Sequence, residues 1–186
     1  MKIRKYIPSD KPKLRYICKQ TAEGFFKHSE KTLEAAAIIY NDYFTENESD
    51  NIFVLADDND TAVGYIICSF DYNKFMKLNS SVYLKRVLKT SPVLSSALIG
   101  YMLSLKCIKN KSVHLHMDIL PDYQRNGWGT KLIDELCAHL KSKGIDTLSV
   151  CCVSRNSAGY KMYARYGFKE IFSYGFNTVS LSLTEK

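Results

Sequence analysis

The chain has 186 residues, which is enough for one domain with a sizeable core. Its formal net charge of +7 fits a nucleic acid, a membrane surface or a polyanionic small ligand, but its scattered lysines form no long basic run. The six cysteines include no Cys-x-x-Cys pair, and no apolar segment is long enough to span a bilayer. We therefore expect one reduced, cytoplasmic domain with no metal, no nucleic-acid partner and no membrane partner.

Hydrophobic patterns divide the first half of the chain into strands and helices. Alternating apolar residues predict strands, and apolar residues at helical spacing predict helices. In chain order we expect a strand, two helices and a hairpin of two strands: residues 2–7, 10–22, 29–44, 52–56 and 62–70. Residues 8–10 end the first strand and offer an N-cap for the first helix, with Pro12 tolerated in its first turn, and Ser29 or Thr32 suits the start of the second helix.

The second half of the chain is predicted to contribute the centre and the far side of the sheet. We expect two helical segments, a central strand, a helix, an interior strand, a short helix and two closing strands: residues 81–88, 92–107, 114–120, 127–143, 146–153, 156–166, 169–174 and 178–183. Residues 92–107 are apolar nearly all round, so this helix should be buried or lie over a cavity. The element order predicts one α/β domain with a mixed sheet.

Residues 124–130 form a glycine-bearing turn between the central strand and its helix, with the sequence Q-R-N-G-W-G-T. Unpaired N–H groups at a helix start, together with the helix dipole, favour a phosphate-sized anion. Gly127 and Gly129 have no side chain that would block such a ligand. The pattern G-x-G-x-x-G is absent because Leu132 replaces the third glycine, and no P-loop occurs. The turn therefore predicts a diphosphate site without naming its ligand.

Two motifs together carry a resemblance that covers nearly the whole chain. They are I-L-P-D-Y-Q-R-N-G-W-G, over residues 119–129, and N-S-A-G-Y-K-M-Y-A-R-Y-G-F, over residues 156–168. With them the chain resembles the GCN5-related N-acetyltransferase (GNAT) superfamily. The resemblance implies a single GNAT domain over residues 1–186, a mixed sheet of about six or seven strands flanked by helices, and a helical insertion over residues 71–111. The central motif also resembles acetyltransferase-like domains related to the C-terminal part of O-GlcNAcases, which does not identify an acceptor.

The resemblance implies acetyl-CoA as the cofactor and assigns residues to hold it. Backbone groups of Ile119 and Leu120 should bind the pantetheine arm as an added strand would. The pyrophosphate should be surrounded, mainly by N–H groups, by Gln124, Arg125, Asn126, Gly127, Trp128, Gly129 and Thr130. Asn156 matches a cofactor-contacting position, and Tyr163 matches the tyrosine that protonates the departing CoA thiolate. Tyr160 and Tyr166 are the rival assignments for that acid.

The acceptor side rests on the strand residues His114, His116 and Asp118 and on nearby aromatic residues. Strand alternation places these three side chains on one face. They either include the base for an acceptor amine, with Asp118 favoured because it is nearest the cofactor, or make structural hydrogen bonds on the other side of the sheet. The histidine pair resembles arylalkylamine acetyltransferases, although its spacing to the turn differs by one residue. By resemblance, the acceptor pocket includes Phe25, Phe26, His28, His116 and Tyr174.

These residues predict an acetyl-CoA-dependent N-acetyltransferase that moves an acetyl group to a primary amine of a small molecule or a peptide. Direct attack in a ternary complex is favoured over a cysteinyl intermediate on Cys151 or Cys152, because no base is evident beside them in the sequence. The alternatives are a catalytically silent acyl-CoA-binding or sensing domain, a nucleic-acid-binding module, and an oligomeric scaffold formed through residues 92–107. We expect a monomer or a homodimer.

Overall fold

One mixed sheet of seven strands runs through the computed structural model, which describes residues 1–22, 29–106, 113–152, 155–174 and 176–184. The strands are β1 (Lys2–Lys5), β2 (Ile52–Ala56), β3 (Ala62–Ser69), β4 (Val113–Ile119), β5 (Thr147–Cys152), β6 (Lys169–Tyr174) and β7 (Phe176–Ser182). Their order is β1-β2-β3-β4-β5-β7-β6. All neighbours are antiparallel except β4 and β5, which are parallel. The predicted α/β fold with a mixed sheet is confirmed.

Eight α-helices within the described ranges cover the two faces of the sheet. They are α1 (Lys11–Ala22), α2 (Glu30–Ala37), α3 (Tyr43–Asn47), α4 (Tyr72–Leu78), α5 (Leu84–Thr90), α6 (Ser95–Lys106), α7 (Trp128–Ser142) and α8 (Ala158–Tyr166). Buried side chains of α1 to α6 pack on one face, and those of α7 and α8 pack on the other. None of the helices in these ranges combines enough length with enough apolar character to cross a bilayer.

The first helix of the insertion before β4 begins earlier than the sequence pattern indicated. Instead of starting at residue 81, it starts at Tyr72, because the Asp71 carboxylate accepts a 2.9 Å hydrogen bond from the Lys74 backbone N–H. A π-helical turn at Asn79–Tyr83 joins α4 to α5, and a similar turn at Ile38–Asp42 joins α2 to α3. Each such turn contains one residue more than an α-helical turn, so the 3.6-residue period of apolar residues does not predict it.

The last insertion helix, α6, is only partly buried, which differs from the expectation for residues 92–107. Leu98 and Leu105 face the core, but Ile99 and Leu103 are 42% and 54% exposed and lie one turn apart on the outer side. The helix therefore has one apolar stripe on the surface. Its inner side forms a wall beside β5, where the Ser104 hydroxyl lies 3.2 Å from the Cys151 Sγ.

A buried carboxylate joins the insertion to the N-terminal helices. Asp42 is fully buried and forms ion pairs with Arg15 of α1 and Arg86 of α5. Burial, with a smaller effect from the charge of Glu46, raises the pKa of Asp42 above its usual value, and the two guanidinium groups oppose that effect only in part. The insertion is thus fixed to the layer of helices on its face of the sheet.

We expect the Asp42 pairs to contribute more to stability than a matched exposed pair. Asp42→Ala would leave two guanidinium groups without their buried partner, so the free energy of unfolding should fall by about 3 kcal/mol. Glu34→Gln removes a partly exposed partner of Arg15 and should cost less than about 1 kcal/mol. Urea denaturation of both variants measures the difference, and equal losses would contradict this role for Asp42.

Strands β4 and β5 pair at one end of β4 and then separate. Within the described residues their pairing extends from Val113↔Leu148 to Leu115↔Val150. Residues 116–119 continue to pair with β3 without a register shift, so β4 stays straight and has no bulge. A gap therefore opens between β4 and β5 at the C-terminal half of β4, next to the turn that leads into α7.

Candidate active site

The edge of β4 that faces this gap offers backbone groups to an extended ligand. Backbone hydrogen bonds alternate in direction along a strand. The Leu120 N–H bonds to Val63 of β3, and the Leu120 carbonyl accepts from Tyr123, so the groups of Met117 and Ile119 point toward the gap. The Gln124 side chain already donates to the Ile119 carbonyl at 2.7 Å. We therefore expect Met117, which the sequence motif did not indicate, to replace Leu120 beside the pantetheine arm.

The turn from Gln124 to α7 has the properties predicted for a diphosphate site. No acceptor in the described part of the chain takes the backbone N–H groups of residues 125–130. Arg125 and Gly127 adopt positive φ angles of 63° and 79°, which turn the chain sharply before the helix. A Cβ placed on Gly127 would meet no atom within 4 Å. These free donors, an open approach and the helix dipole fit a bound diphosphate.

The other predicted residues of the turn contribute in different ways. A Cβ on Gly129 would lie only 2.8 Å from the Met162 sulfur, so this glycine permits α7 to pack against α8. Trp128 is covered by Lys131, whose ammonium lies 4.2 Å from the ring centroid. Asn126 and Thr130 are exposed around the start of α7, and Asn156 is exposed just before α8.

On the opposite face, His116 and Asp118 form the centre of a polar cluster against α1. The His116 Nε2 lies 2.9 Å from the Asp118 Oδ2, and the buried Tyr65 hydroxyl donates to the same oxygen at 2.6 Å. Cys18 of α1 approaches both, with one ligand atom of each residue within 4.8 Å of the others. The predicted common face of the strand residues is thus observed, on the side of the N-terminal helices.

Burial and neighbouring groups shift the pKa values of Asp118, Cys18 and His114. Burial favours a neutral Asp118, but the charge of His116 and hydrogen bonds from His116 and Tyr65 outweigh it and hold the pKa of Asp118 below its usual range. Burial raises the pKa of the Cys18 thiol well above its usual value. His114, which is buried against the Phe75 ring, has a pKa lowered to about 3 by burial and by His116. His114 is therefore a neutral core residue.

Aromatic residues enclose His116 on the side away from the sheet. Tyr40 stacks on the imidazole with ring centroids 5.2 Å apart, and Tyr101 of α6 contacts Tyr40 at 5.5 Å. Cys151 continues this wall on β5 at the point where the strands separate. Among the other predicted acceptor residues, Phe25, Phe26 and His28 lie outside the described residues, and Tyr174 ends β6 with its side chain outside them.

Tyr163 lies on α8, 5% exposed, and packs edge-on against Phe168. Its two rivals bond to carboxylates: the Tyr160 hydroxyl donates to Glu170 at 2.9 Å, and the Tyr166 hydroxyl donates to Asp134 at 2.6 Å. The bond to Glu170 raises the pKa of Tyr160, and burial together with the bond to Asp134 raises the pKa of Tyr166. The assignment of the acid to Tyr163 stays a prediction from the sequence motif.

Comparison with known proteins decides the family. The model of the acetyltransferase (GNAT) family matches residues 15–168. The chain belongs to this family. This GNAT protein is 30% identical over 87 residues to the [ribosomal protein bS18]-alanine N-acetyltransferase of Haemophilus influenzae, an alignment that covers 47% of the chain and 58% of that enzyme. The chain thus spans little more than half the length of this curated relative.

Solved structures show the same fold along the whole GNAT chain. The crystal structure of SsHAT has a TM-score of 0.84 at 24% identity and covers 98% of both chains. The PaiA N-acetyltransferase of Thermoplasma acidophilum, in complex with coenzyme A, has a TM-score of 0.63 at 16% identity over 97% of this chain and 98% of its own. The predicted family is thereby confirmed.

Proposed function

We propose that this protein is an N-acetyltransferase that moves the acetyl group of acetyl-CoA to a primary amine of a small molecule or a peptide. The observation that carries the proposal is the gap between β4 and β5. The free N–H groups before α7 lie at one side of this gap, and the polar cluster of His116 and Asp118 lies at the other. A thioester held along β4 and an amine held near His116 would therefore meet between the two strands.

The chain's own groups supply positioning and proton transfer. The edge of β4 and the turn before α7 hold the cofactor, and holding both reactants in one geometry lowers the entropic cost of their reaction. Bound acetyl-CoA supplies the activated acetyl group. Tyr163 holds the proton that the departing thiolate needs. Direct attack in a ternary complex is favoured over an intermediate on Cys151, because the Ser104 and Thr178 hydroxyls that lie 3.2 Å and 3.7 Å from its thiol are not bases.

His116 is better placed than Asp118 to take the proton of the amine. The carboxylate of Asp118 already accepts from Tyr65 and bonds to His116, so it is occupied in holding the imidazole. With Nε2 directed at Asp118, the other ring nitrogen of His116 is left for the acceptor. The sequence favoured Asp118 as the base, whereas this proposal assigns the base to His116 and makes Asp118 a positioning residue.

This division of roles predicts how two substitutions change the kinetics. His116→Gln should lower kcat/KM about tenfold at neutral pH, less than the usual ~100-fold for a general base, because solvent also takes protons from an amine. The ratio of the wild-type kcat/KM to that of the variant should decrease at alkaline pH, where the acceptor is already deprotonated. Asp118→Asn should also lower kcat/KM at neutral pH. The measurement is the pH profile of kcat/KM for both variants and the wild type. A loss that is equal at every pH would indicate a structural role alone.

The first experiment tests for turnover itself. The protein is incubated with acetyl-CoA and a panel that contains small primary amines and a peptide with an N-terminal alanine, which the bS18-alanine relative suggests. Thiol release and the mass of the acceptor report transfer, while calorimetry with CoA reports binding. Binding without transfer to any acceptor would favour the silent acyl-CoA-binding alternative.

Location and assembly stay predictions of the same proposal. We expect a cytoplasmic monomer or homodimer, and the exposed stripe of Ile99 and Leu103 on α6 is the apolar surface from which a dimer would form. Sedimentation of the wild type and of Leu103→Glu distinguishes the two states, because a charge in the stripe would dissociate such a dimer.

A further inference from the structure

The cluster at the acceptor end contains three different metal-ligating side chains. Cys18 comes from α1, and His116 and Asp118 come from alternate positions of β4, with one ligand atom of each residue within 4.8 Å of the other two. We propose that these three residues form a binding site for a zinc-type divalent ion. The proposal concerns binding alone and does not rest on the acetyl transfer proposed above.

The distances suit one ion with small adjustments. Zinc bonds to sulfur, nitrogen and oxygen at about 2.0–2.3 Å, so neighbouring ligand atoms in a tetrahedral site lie roughly 3–4 Å apart. The His116 Nε2 and the Asp118 Oδ2 are already 2.9 Å apart and share a hydrogen bond. The ion would take the place of the proton in that bond. The thiol of Cys18 needs to approach by at most about 1 Å. On binding, the S–H bond of Cys18 breaks, a sulfur–metal bond forms, and the thiol proton leaves to solvent. The proton on the His116 Nε2 moves to the other ring nitrogen through solvent, so that the Nε2 lone pair is free to bond to the metal.

Neighbouring residues hold the ligands in place. The Tyr65 hydroxyl donates to Asp118 at 2.6 Å, and Tyr40 stacks on the His116 ring, so both side chains are oriented before an ion arrives. The side chains of His116 and Asp118 are 26% and 14% exposed, whereas Cys18 is 1% exposed behind them. An ion would therefore enter from the acceptor side and keep one open position there, which is the arrangement of a site with three protein ligands.

The donor set determines which ions are expected. One thiolate, one imidazole and one carboxylate favour Zn²⁺ and Co²⁺ over the hard ions Mg²⁺ and Ca²⁺, which prefer oxygen ligands. A bound ion would take the His116 Nε2 and leave the proton of the neutral imidazole on the other ring nitrogen, which then cannot accept the proton of the amine. Zinc is thus expected to inhibit transfer reversibly.

Cobalt provides the direct test, because Co²⁺ replaces zinc and is visible in absorption spectra. Titration of the purified protein with Co²⁺ should produce a thiolate-to-cobalt charge-transfer band that saturates at one ion per chain and disappears when Zn²⁺ is added. Cys18→Ala should abolish the band, and Tyr65→Phe should weaken cobalt binding about tenfold. Cys137→Ala is the matched control, because Cys137 is a buried thiol on the other face of the sheet, and it should retain the band.

A wild-type protein that gives no band, or a Cys18→Ala protein that keeps it, would overturn the proposal. The transfer assay adds a second readout in any preparation that shows turnover: Zn²⁺ should inhibit the wild type, and Cys18→Ala should lose that inhibition relative to its own rate without Zn²⁺. Absence of turnover with a normal cobalt band would count against the acetyltransferase proposal and leave the metal site standing.

Discussion

Gly127→Glu is expected to abolish detectable CoA binding. The substitution puts a carboxylate at the open start of α7, where the free N–H groups of residues 125–130 would hold a diphosphate. Each like-charge pair about 4 Å apart near a protein surface costs roughly 4 kcal/mol, so the affinity should fall about 1,000-fold or more. Isothermal titration with CoA measures the loss.

Gly144→Glu is the control for backbone strain. Gly144 lies just beyond the other end of α7, has a φ of 72°, and also has no atom within 4 Å of an added Cβ. Both variants place the same side chain at positive φ, which costs about 1–2 kcal/mol of stability. We expect Gly144→Glu to bind CoA as the wild type does. Similar losses in both variants would mean that strain, and not charge at the turn, explains the effect.

Tyr163→Phe is expected to lower kcat about 1,000-fold while the affinity for CoA stays within a factor of about two. A positioned acid contributes 100-fold to 10,000-fold in typical enzymes, and the phenylalanine keeps the packing on Phe168. Steady-state kinetics with a saturating acceptor, together with calorimetry, separate the two quantities. Unchanged turnover would remove Tyr163 from the mechanism.

Tyr160→Phe and Tyr166→Phe are the matched controls for this prediction. Each removes one phenol from the same helix, and each hydroxyl donates to a carboxylate, Glu170 or Asp134. Their loss should change kcat by no more than about twofold. A large effect in either one, with a small effect at Tyr163, would transfer the assignment of the acid to that tyrosine.

The sequence alone determined the order of the elements and the position of the turn before α7. Local properties sufficed for this, because apolar periodicity and glycine placement act over a few residues. The alternation of side chains along a strand is also a local property, and it put His114, His116 and Asp118 on one face. The start of α4 at Tyr72 also depends on a local signal, the capping side chain of Asp71, which apolar periodicity does not include.

Tertiary structure decided which of these residues lie together, because their neighbours are distant in the chain. Only the fold brings Cys18 of α1 to His116 and Asp118, about 100 residues later. Only strand pairing shows that β4 leaves β5 after Leu115, so that Met117 faces the gap while Leu120 does not. Helix packing also gives the two glycines of the turn different surroundings: Gly127 is open to a ligand, and Gly129 lies against α8. The periodicity of apolar residues carries no information about contacts between residues this far apart in the chain.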